Sequence, residues 1–131
     1  MRREFTLPPE DVEFLDALGL PWENVVDKAQ WLVIHELPLP TGYTQDKTAL
    51  AIRIETGYPH AALDMAYFRP AIVRQDGRAI AATDAKQSID GTEWQRWSRH
   101  RTTQNPWRPG VDNIESHFLL IKDWLEREFK R

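Results

Sequence analysis

The segment Ala49 to Glu55 reads ALAIRIE and alternates strongly apolar side chains with small or charged ones. Leu50, Ile52 and Ile54 occupy every second position in it. Because successive side chains of a β-strand point to opposite faces, this pattern predicts a strand with one face buried. A sheet is therefore the element around which the rest of the chain must be arranged.

Further strands are predicted on both sides of this segment. The apolar run Trp31 to Ile34 predicts a buried strand, and the turn-rich ELPLPTGYTQDK after it makes the two strands antiparallel neighbours. A strand over Met65 to Phe68 ends before Pro70, which cannot donate to a ladder. The Asp76-Gly77 pair lies between Ile72-Val73 and Ala79-Ile80 and predicts a hairpin.

Helix signals lie towards the two ends of the chain. The stretch Pro8 to Asp11 predicts a helix start, and Gly19 is a suitable end. Asp112 and Glu115 predict a capping box for a second helix. Its apolar residues at helical spacing are Ile114, Phe118, Ile121 and Leu125. The sequence thus predicts one α+β domain over residues 1–131: an N-terminal helix, an antiparallel meander of three to four strands, an irregular segment and a C-terminal helix.

Composition narrows the function classes. The net charge of −3 disfavours a dedicated nucleic-acid binder, which usually carries a basic excess. The sequence has no cysteine, so disulfides, thiolate chemistry and cysteine-based zinc sites are excluded for it. No apolar stretch approaches the roughly 20 residues of a membrane span, and the first residues lack a secretory apolar region. We expect a cytoplasmic protein without a membrane partner.

The histidines show no spacing typical of a metal site. His35 lies in a strand pattern, where a structural role is expected, and His117 is expected on the surface of the last helix. No cluster of acidic residues completes a ligand set, and no phosphate-binding glycine loop occurs. Neither a metal nor a cofactor is predicted.

The most unusual segment is EWQRWSRHRTTQNPWRPG, Glu93 to Gly110, which holds three tryptophans and four arginines. The composition is that of a base-stacking, phosphate-binding patch made of Trp94, Trp97, Arg96, Arg99 and Arg101. The favoured interpretation is that the tryptophans belong to the core and the arginines to the solvated surface, since large aromatic side chains are usually buried.

The same segment contains a candidate for nucleophilic catalysis. Ser98 and His100 are two residues apart, so in extended backbone both side chains point the same way. A serine hydroxyl needs an adjacent base to act as a nucleophile, and His100 could be that base. Asp112 is a candidate for orienting the histidine.

The middle of the chain resembles the ubiquitin-conjugating enzymes. ELPLPTGYTQDKTALAIRIETGYPHAALDMAYFRP, Glu36 to Pro70, is similar to that family's turn, alternating strand, Tyr-Pro pair and following strand. The pair here is Tyr58-Pro59, for which the resemblance implies a structural role. NPWRPGVDNIESHFLLIKDWL, Asn105 to Leu125, is similar to the family's tryptophan-proline turn and the helix after it. With DMAYFRP and WQRWSRH, the chain most resembles the bacterial branch called prokaryotic ubiquitin-conjugating-like family E.

The sequence departs from the family at its reactive site. The His-Pro-Asn tripeptide is missing, and AATDAKQSIDG, Ala81 to Gly91, occupies that region. The active-site cysteine is also missing. Counting back from Trp107 as in the family leads to Arg99, between Ser98 and His100. The other hydroxyl residues nearby are Ser88, Thr92, Thr102 and Thr103.

The resemblance implies a protein that accepts a ubiquitin-like modifier from an adenylating, ATP-using activating enzyme and transfers it to a target. Ser98 would carry the modifier as an oxyester, and His100 would act as base or orienting group. Arg96, Arg99 and Arg101 would stabilise the transition state of acyl transfer or grip the tail of the modifier. The alternatives are a non-catalytic variant that only binds these partners, a sequence in which a cysteine has been replaced and, remotely, a nucleic-acid module. The resemblance also implies that the first helix, Glu10 to Asp16, faces the activating enzyme.

Overall fold

Residues 1–130 are described by a computed structural model. The helices are α1 (Pro9–Ala17) and α2 (Ile114–Arg127), and a short 3-10 helix, Glu128–Lys130, follows α2 directly. The strands are β1 (Trp22–Val26), β2 (Gln30–Pro38), β3 (Lys47–Ile54), β4 (Ala66–Arg69), β5 (Lys86–Ile89) and β6 (Thr92–Trp97). The elements follow the predicted order of helix, sheet and helix, which confirms the α+β class.

The strands form one antiparallel sheet in the order β1-β2-β3-β4-β6-β5. The turn-rich segment after β2 returns the chain so that Leu32 lies opposite Ile52, as predicted for these two strands. β4 continues the meander with Phe68 opposite Leu50. β1 extends the predicted meander at one edge, and the β5–β6 pair extends it at the other.

Both faces of the central strands are buried, which explains why β2 reads as an unbroken apolar run. Leu50 and Ile52 of β3 face the helices, and their cluster includes Leu15 of α1 and Phe118 of α2. A second cluster covers the opposite face with the side chains of Val25, Trp31, Val33, Ala51, Tyr67, Ile89 and Trp94. The alternation in β3 therefore places its largest side chains in the main core, as predicted.

The sheet curls so that its opposite ends meet. Arg2, which precedes the α1 helix and lies beside β1, contacts Asp90 of the β5–β6 turn with 2.8 Å between Nη2 and Oδ2. The backbone N–H of Asp90 donates to Asp27 Oδ2 in the β1–β2 turn at 2.7 Å. These contacts shelter the second cluster without a further layer of helices.

The hairpin predicted at Asp76-Gly77 is wrong. A turn does form there, with Gly77 N–H donating to Arg74 O at 3.2 Å, but the residues on either side do not pair as strands. Ile72 and Ile80 both enter the main core instead. The hairpin forms around the other Asp-Gly pair, Asp90-Gly91, where φ values of 54° and 76° fit a two-residue turn.

The helix ends follow local rules with one correction. α1 begins with proline in its first turn, as predicted, and Gly19 beyond it has φ +73°. The capping box of α2 is formed by Asn113 and Ser116, so the predicted pair of Asp112 and Glu115 is wrong by one position. Asp112 instead accepts a hydrogen bond from the Arg108 N–H at 2.7 Å.

One polar contact joins both helices to the loop after β3. The Tyr58 hydroxyl donates to the buried carboxylate of Asp11 at 2.7 Å and accepts from the Ile114 N–H at 2.9 Å. Burial raises the pKa of Asp11 above its usual value, against the opposing effect of this hydrogen bond. The tyrosine of the Tyr-Pro pair therefore fixes the start of α2 relative to α1.

Replacing Tyr58 with Phe is expected to lower the free energy of unfolding by about 1–3 kcal/mol, because a buried acceptor and a helix N–H lose their partner. Urea denaturation followed by circular dichroism measures this loss. Tyr67→Phe is the matched control, since within residues 1–130 its hydroxyl takes part in no hydrogen bond. Equal losses in both variants would contradict the structural role of Tyr58.

Candidate functional site

Ser98 lies directly after β6, at the start of the loop that leads to α2. Its hydroxyl is half-buried and accepts a hydrogen bond from Arg96 Nε at 3.0 Å. The Arg99 N–H bonds back to the Trp97 carbonyl at 2.9 Å, so the backbone turns tightly at Ser98. Ser98 and His100 are therefore not joined by the extended backbone that would point both side chains the same way.

His100 is exposed and pairs with a carboxylate that the sequence did not single out. Its Nδ1 lies 2.7 Å from Asp64 Oδ2 in the segment before β4. In the described part of the chain, no hydrogen bond joins His100 to Ser98 or to Asp112. The His100 side chain remains 60% exposed in this pairing.

Asp112 is buried before α2 and organises two arginines. It lies 3.6 Å from Arg108 Nε and 4.0 Å from Arg101 Nη1. Burial by itself raises the pKa of Asp112, but the Arg108 N–H and the neighbouring guanidinium charges bring it below the usual value. Asp112 is thus an ionised carboxylate that fixes the loop.

Arg99 points towards the C-terminal end of the described chain. Its Nη2 lies 2.9 Å from Glu128 Oε1, and its guanidinium stacks over Trp97 at 4.5 Å from the ring centroid. Glu128 also contacts Arg74 at 3.2 Å. The Arg99 side chain therefore anchors the loop to the residues after α2.

The two tryptophans of β6 are core residues. Trp97 is fully buried and packs edge-on against Phe68 in the main core. Trp94 is buried in the second cluster, on the opposite face of the sheet. The two rings therefore lie in the core on opposite faces of the sheet, as expected. Neither ring is exposed for base stacking.

Arg101 lies deeper than its charge suggests. Its side chain is 10% exposed, and its guanidinium lies under the Trp107 ring at 4.8 Å from the centroid. Nη2 lies 3.4 Å from Nδ1 of His117, while Nε has no hydrogen-bond partner among residues 1–130. Burial lowers the pKa of Arg101 from its ordinary value.

His117 is fully buried, so its predicted place on the helix surface is wrong. Its Nε2 lies 2.9 Å from the Met65 carbonyl, which can only accept, so this nitrogen carries the proton. Burial lowers the pKa of His117 to about 4. The neutral ring leaves Nδ1 as an acceptor for Arg101 and connects α2 to the residue before β4.

The family model of prokaryotic E2 family E matches residues 7–128, which include α1, the whole sheet and α2. The chain belongs to prokaryotic E2 family E. Searches of curated proteins and of solved structures found no match.

In this E2-like chain the turn before α2 keeps the family's tryptophan next to the tyrosine of the Tyr-Pro pair. Trp107 Nε1 donates to the Pro59 carbonyl at 3.1 Å, and its ring lies 6.2 Å from that of Tyr58. The β6–α2 loop that carries Ser98 is therefore fixed at its far end. The E2-like fold is preserved around a site without a thiol.

Beside the loop of this family E protein is an open cavity of about 400 Å³. Its lining residues are Glu55, Ala62, Leu63, Asp64, His100 and Arg101. Sequence reasoning missed Asp64, because it is far from His100 along the chain and only the β4–β6 pairing brings the two together.

His35 has the structural role that was predicted for it. Its Nε2, in β2, lies 2.6 Å from Oε2 of Glu23 in β1.

Nowhere from residue 1 to 130 do three or more His, Cys, Asp or Glu side chains converge so that they could hold a metal ion. None of the helices described is long and apolar enough to cross a membrane.

Proposed function

We propose that this family E protein binds a ubiquitin-like protein and its activating enzyme without carrying an acyl intermediate on its own chain. The observation that supports this is the state of the Ser98 hydroxyl. It accepts a hydrogen bond from Arg96, and in the described chain no imidazole or carboxylate accepts its proton. A serine without such a base is a weak nucleophile.

The neighbouring groups support the same proposal, because each is committed to another contact. His100 pairs with Asp64, Asp112 holds the Arg108 N–H, and Arg99 contacts Glu128. The loop is thereby stabilised as a rigid surface feature. A rigid surface suits the recognition of partners, since little ordering is needed on binding.

The activating enzyme would dock on α1, by analogy with the family. The exposed acids Glu10 and Glu13 lie on the solvent side of this helix, and Leu15 packs into the main core. An acidic helix face favours a partner with a basic groove, whose association would weaken as salt rises.

Gel filtration of the chain with its activating enzyme and the ubiquitin-like protein tests the proposal. We expect co-elution with the wild type and equally with Ser98→Ala, and loss of co-elution with the charge reversals Glu10→Lys and Glu13→Lys. Glu126→Lys on the exposed side of α2 is the matched control. No co-elution of the wild type with either partner would overturn the proposal.

A second candidate function is serine oxyester formation, favoured by the 3.0 Å contact of Arg96 Nε with Ser98 Oγ. A guanidinium at this distance stabilises negative charge on the oxygen during acyl transfer. In this mechanism a general base on the bound partner would take the Ser98 proton as Oγ attacks the acyl carbon of the partner's thioester. The thiolate would leave with its bonding electron pair and accept a proton.

A further inference from the structure

The irregular segment 70–85, between β4 and β5, borders another cavity, of about 380 Å³. Ile72 and Ile80 line this cavity and also belong to the main core. The Gln95 side chain in β6 accepts from the Ile72 N–H at 2.9 Å and donates to the Ile72 carbonyl at 3.3 Å. The Thr83 hydroxyl donates to the Ile80 carbonyl at 2.8 Å. Side-chain hydrogen bonds therefore fix the walls of the cavity.

An exposed valine lies at the edge of this cavity. Val73 is part of the lining and is 50% exposed, although its carbonyl is fixed by the Thr44 N–H at 2.8 Å. Ala79 is a further exposed apolar residue of the lining. With the two isoleucines they give the cavity a continuous apolar side. Apolar surface of this kind with a polar rim is typical of interaction sites.

Two cations line the cavity with little compensation. Within residues 1–130 the guanidinium of Arg78 makes no hydrogen bond or ion pair. Lys86 lies 3.6 Å from Glu93, and the two side chains are 60% and 70% exposed, so this pair is weak. Among the described residues of the lining, Asp84 is the one acid.

The third cation of the lining, Arg74, is compensated by partners of its own. Its Nη2 lies 2.6 Å from Asp76 Oδ2, and its Nη1 lies 3.2 Å from Glu128 Oε2. The hydrogen bond from Arg74 holds the pKa of Asp76 below its usual value, so this acid is ionised and paired. Arg78 and Lys86 therefore give the cavity a positive excess in a protein whose net charge is −3.

We propose that this cavity binds an extended segment of a partner protein that carries acidic side chains beside apolar ones. The apolar side chains contact Val73 and the isoleucines, and the carboxylates pair with Arg78 and Lys86. Complementary charge at the rim sets the choice of partner, and apolar contact inside adds affinity. The volume lies within the range of ligand pockets. Among the described residues, none of α1 lines the cavity, so this surface is separate from the proposed docking face of the activating enzyme.

The test is a ¹H–¹⁵N NMR titration of the full chain with the peptide Glu-Leu-Glu-Leu-Glu, acetylated at its N-terminus and amidated at its C-terminus. Two matched peptides carry glutamine in place of every glutamate, or serine in place of every leucine. We expect the first peptide to shift the signals of Val73, Arg78 and Lys86. Each matched peptide is expected to bind at least about threefold more weakly, because either the ion pairs or the apolar contacts are lost.

Variants separate the two cations from the overall charge of the protein. Arg78→Glu and Lys86→Glu are each expected to weaken binding of the acidic peptide at least about threefold. Lys47→Glu is the control of equal charge, since Lys47 is exposed in β3 and lies outside the lining. Val73→Ser tests the apolar contact, and Val111→Ser, at a position 59% exposed, is its control. The comparison of the three peptides needs no variant, so it remains decisive if a variant fails to fold.

Equal binding of the three peptides, shifts confined to other surfaces, or no binding would overturn the proposal. A loss in Lys47→Glu as large as that in Arg78→Glu would also overturn it, because the effect would then come from the overall charge. An oligouridylate of five nucleotides, used as competitor, separates a peptide site from a site for polyanions. Tighter binding of the oligouridylate than of the acidic peptide would contradict a peptide site, and weaker binding would support it.

Discussion

Trp97→Ala is expected to lower the free energy of unfolding by about 3–5 kcal/mol, the usual loss for a large aromatic side chain deleted from a core. Trp97 is fully buried, packs on Phe68 and lies directly before Ser98. Urea denaturation monitored by far-ultraviolet circular dichroism measures the loss.

Trp107→Ala is the matched control, because this ring is half-exposed and contacts Tyr58 and Arg101 near the surface. Its loss is expected to be clearly smaller. If the two variants lost equal stability, or if Trp97→Ala were nearly neutral, Trp97 could not be the core residue that supports the loop.

His117→Gln is expected to remove a pH dependence of stability between about pH 6.5 and pH 4. The folded-state pKa of His117 is lowered by burial to about 4 from an ordinary 6.5. In this window the unfolded chain therefore binds more protons than the folded chain. The contribution of His117 to the free energy of unfolding is complete above pH 6.5 and is lost as the pH falls towards 4. At 1.36 kcal/mol for each pH unit, the loss is about 3 kcal/mol.

Urea denaturation at pH 7 and pH 4.5 measures this loss as a difference between wild type and variant, which cancels the titration of carboxylates common to both. Glutamine can still donate to the Met65 carbonyl, so the fold should persist. His60→Gln, at an exposed position, is expected to follow the wild type. If the wild type and His117→Gln lose equal stability on acidification, then His117 is not buried in its neutral form.

The predictable part of the fold is the part governed by local patterns. The alternation in Ala49 to Glu55 located β3 and its buried face, and the prolines and Gly19 located α1. The two Asp-Gly pairs were indistinguishable locally. Burial of Ile72 and Ile80 in the main core decided that Asp90-Gly91, and not Asp76-Gly77, forms the hairpin.

The candidate site was predictable in position but not in its contacts. The resemblance led to Ser98 and His100, and the structure places both in the loop after β6. The partners of His100 and Arg101 come from distant segments, Asp64 before β4 and His117 in α2. Sequence spacing cannot show such pairings, and the polar character of His117 indicated a surface position that packing overrides.

Intact-mass spectrometry of the chain after incubation with activating enzyme, ubiquitin-like protein and ATP tests the central claim most directly. We expect the mass of the chain to stay unchanged while a noncovalent complex is recovered. An adduct whose mass exceeds that of the chain by the modifier less one water would contradict the claim. If this adduct resists thiol reductant, is cleaved by alkali and is absent in Ser98→Ala, it establishes the serine oxyester.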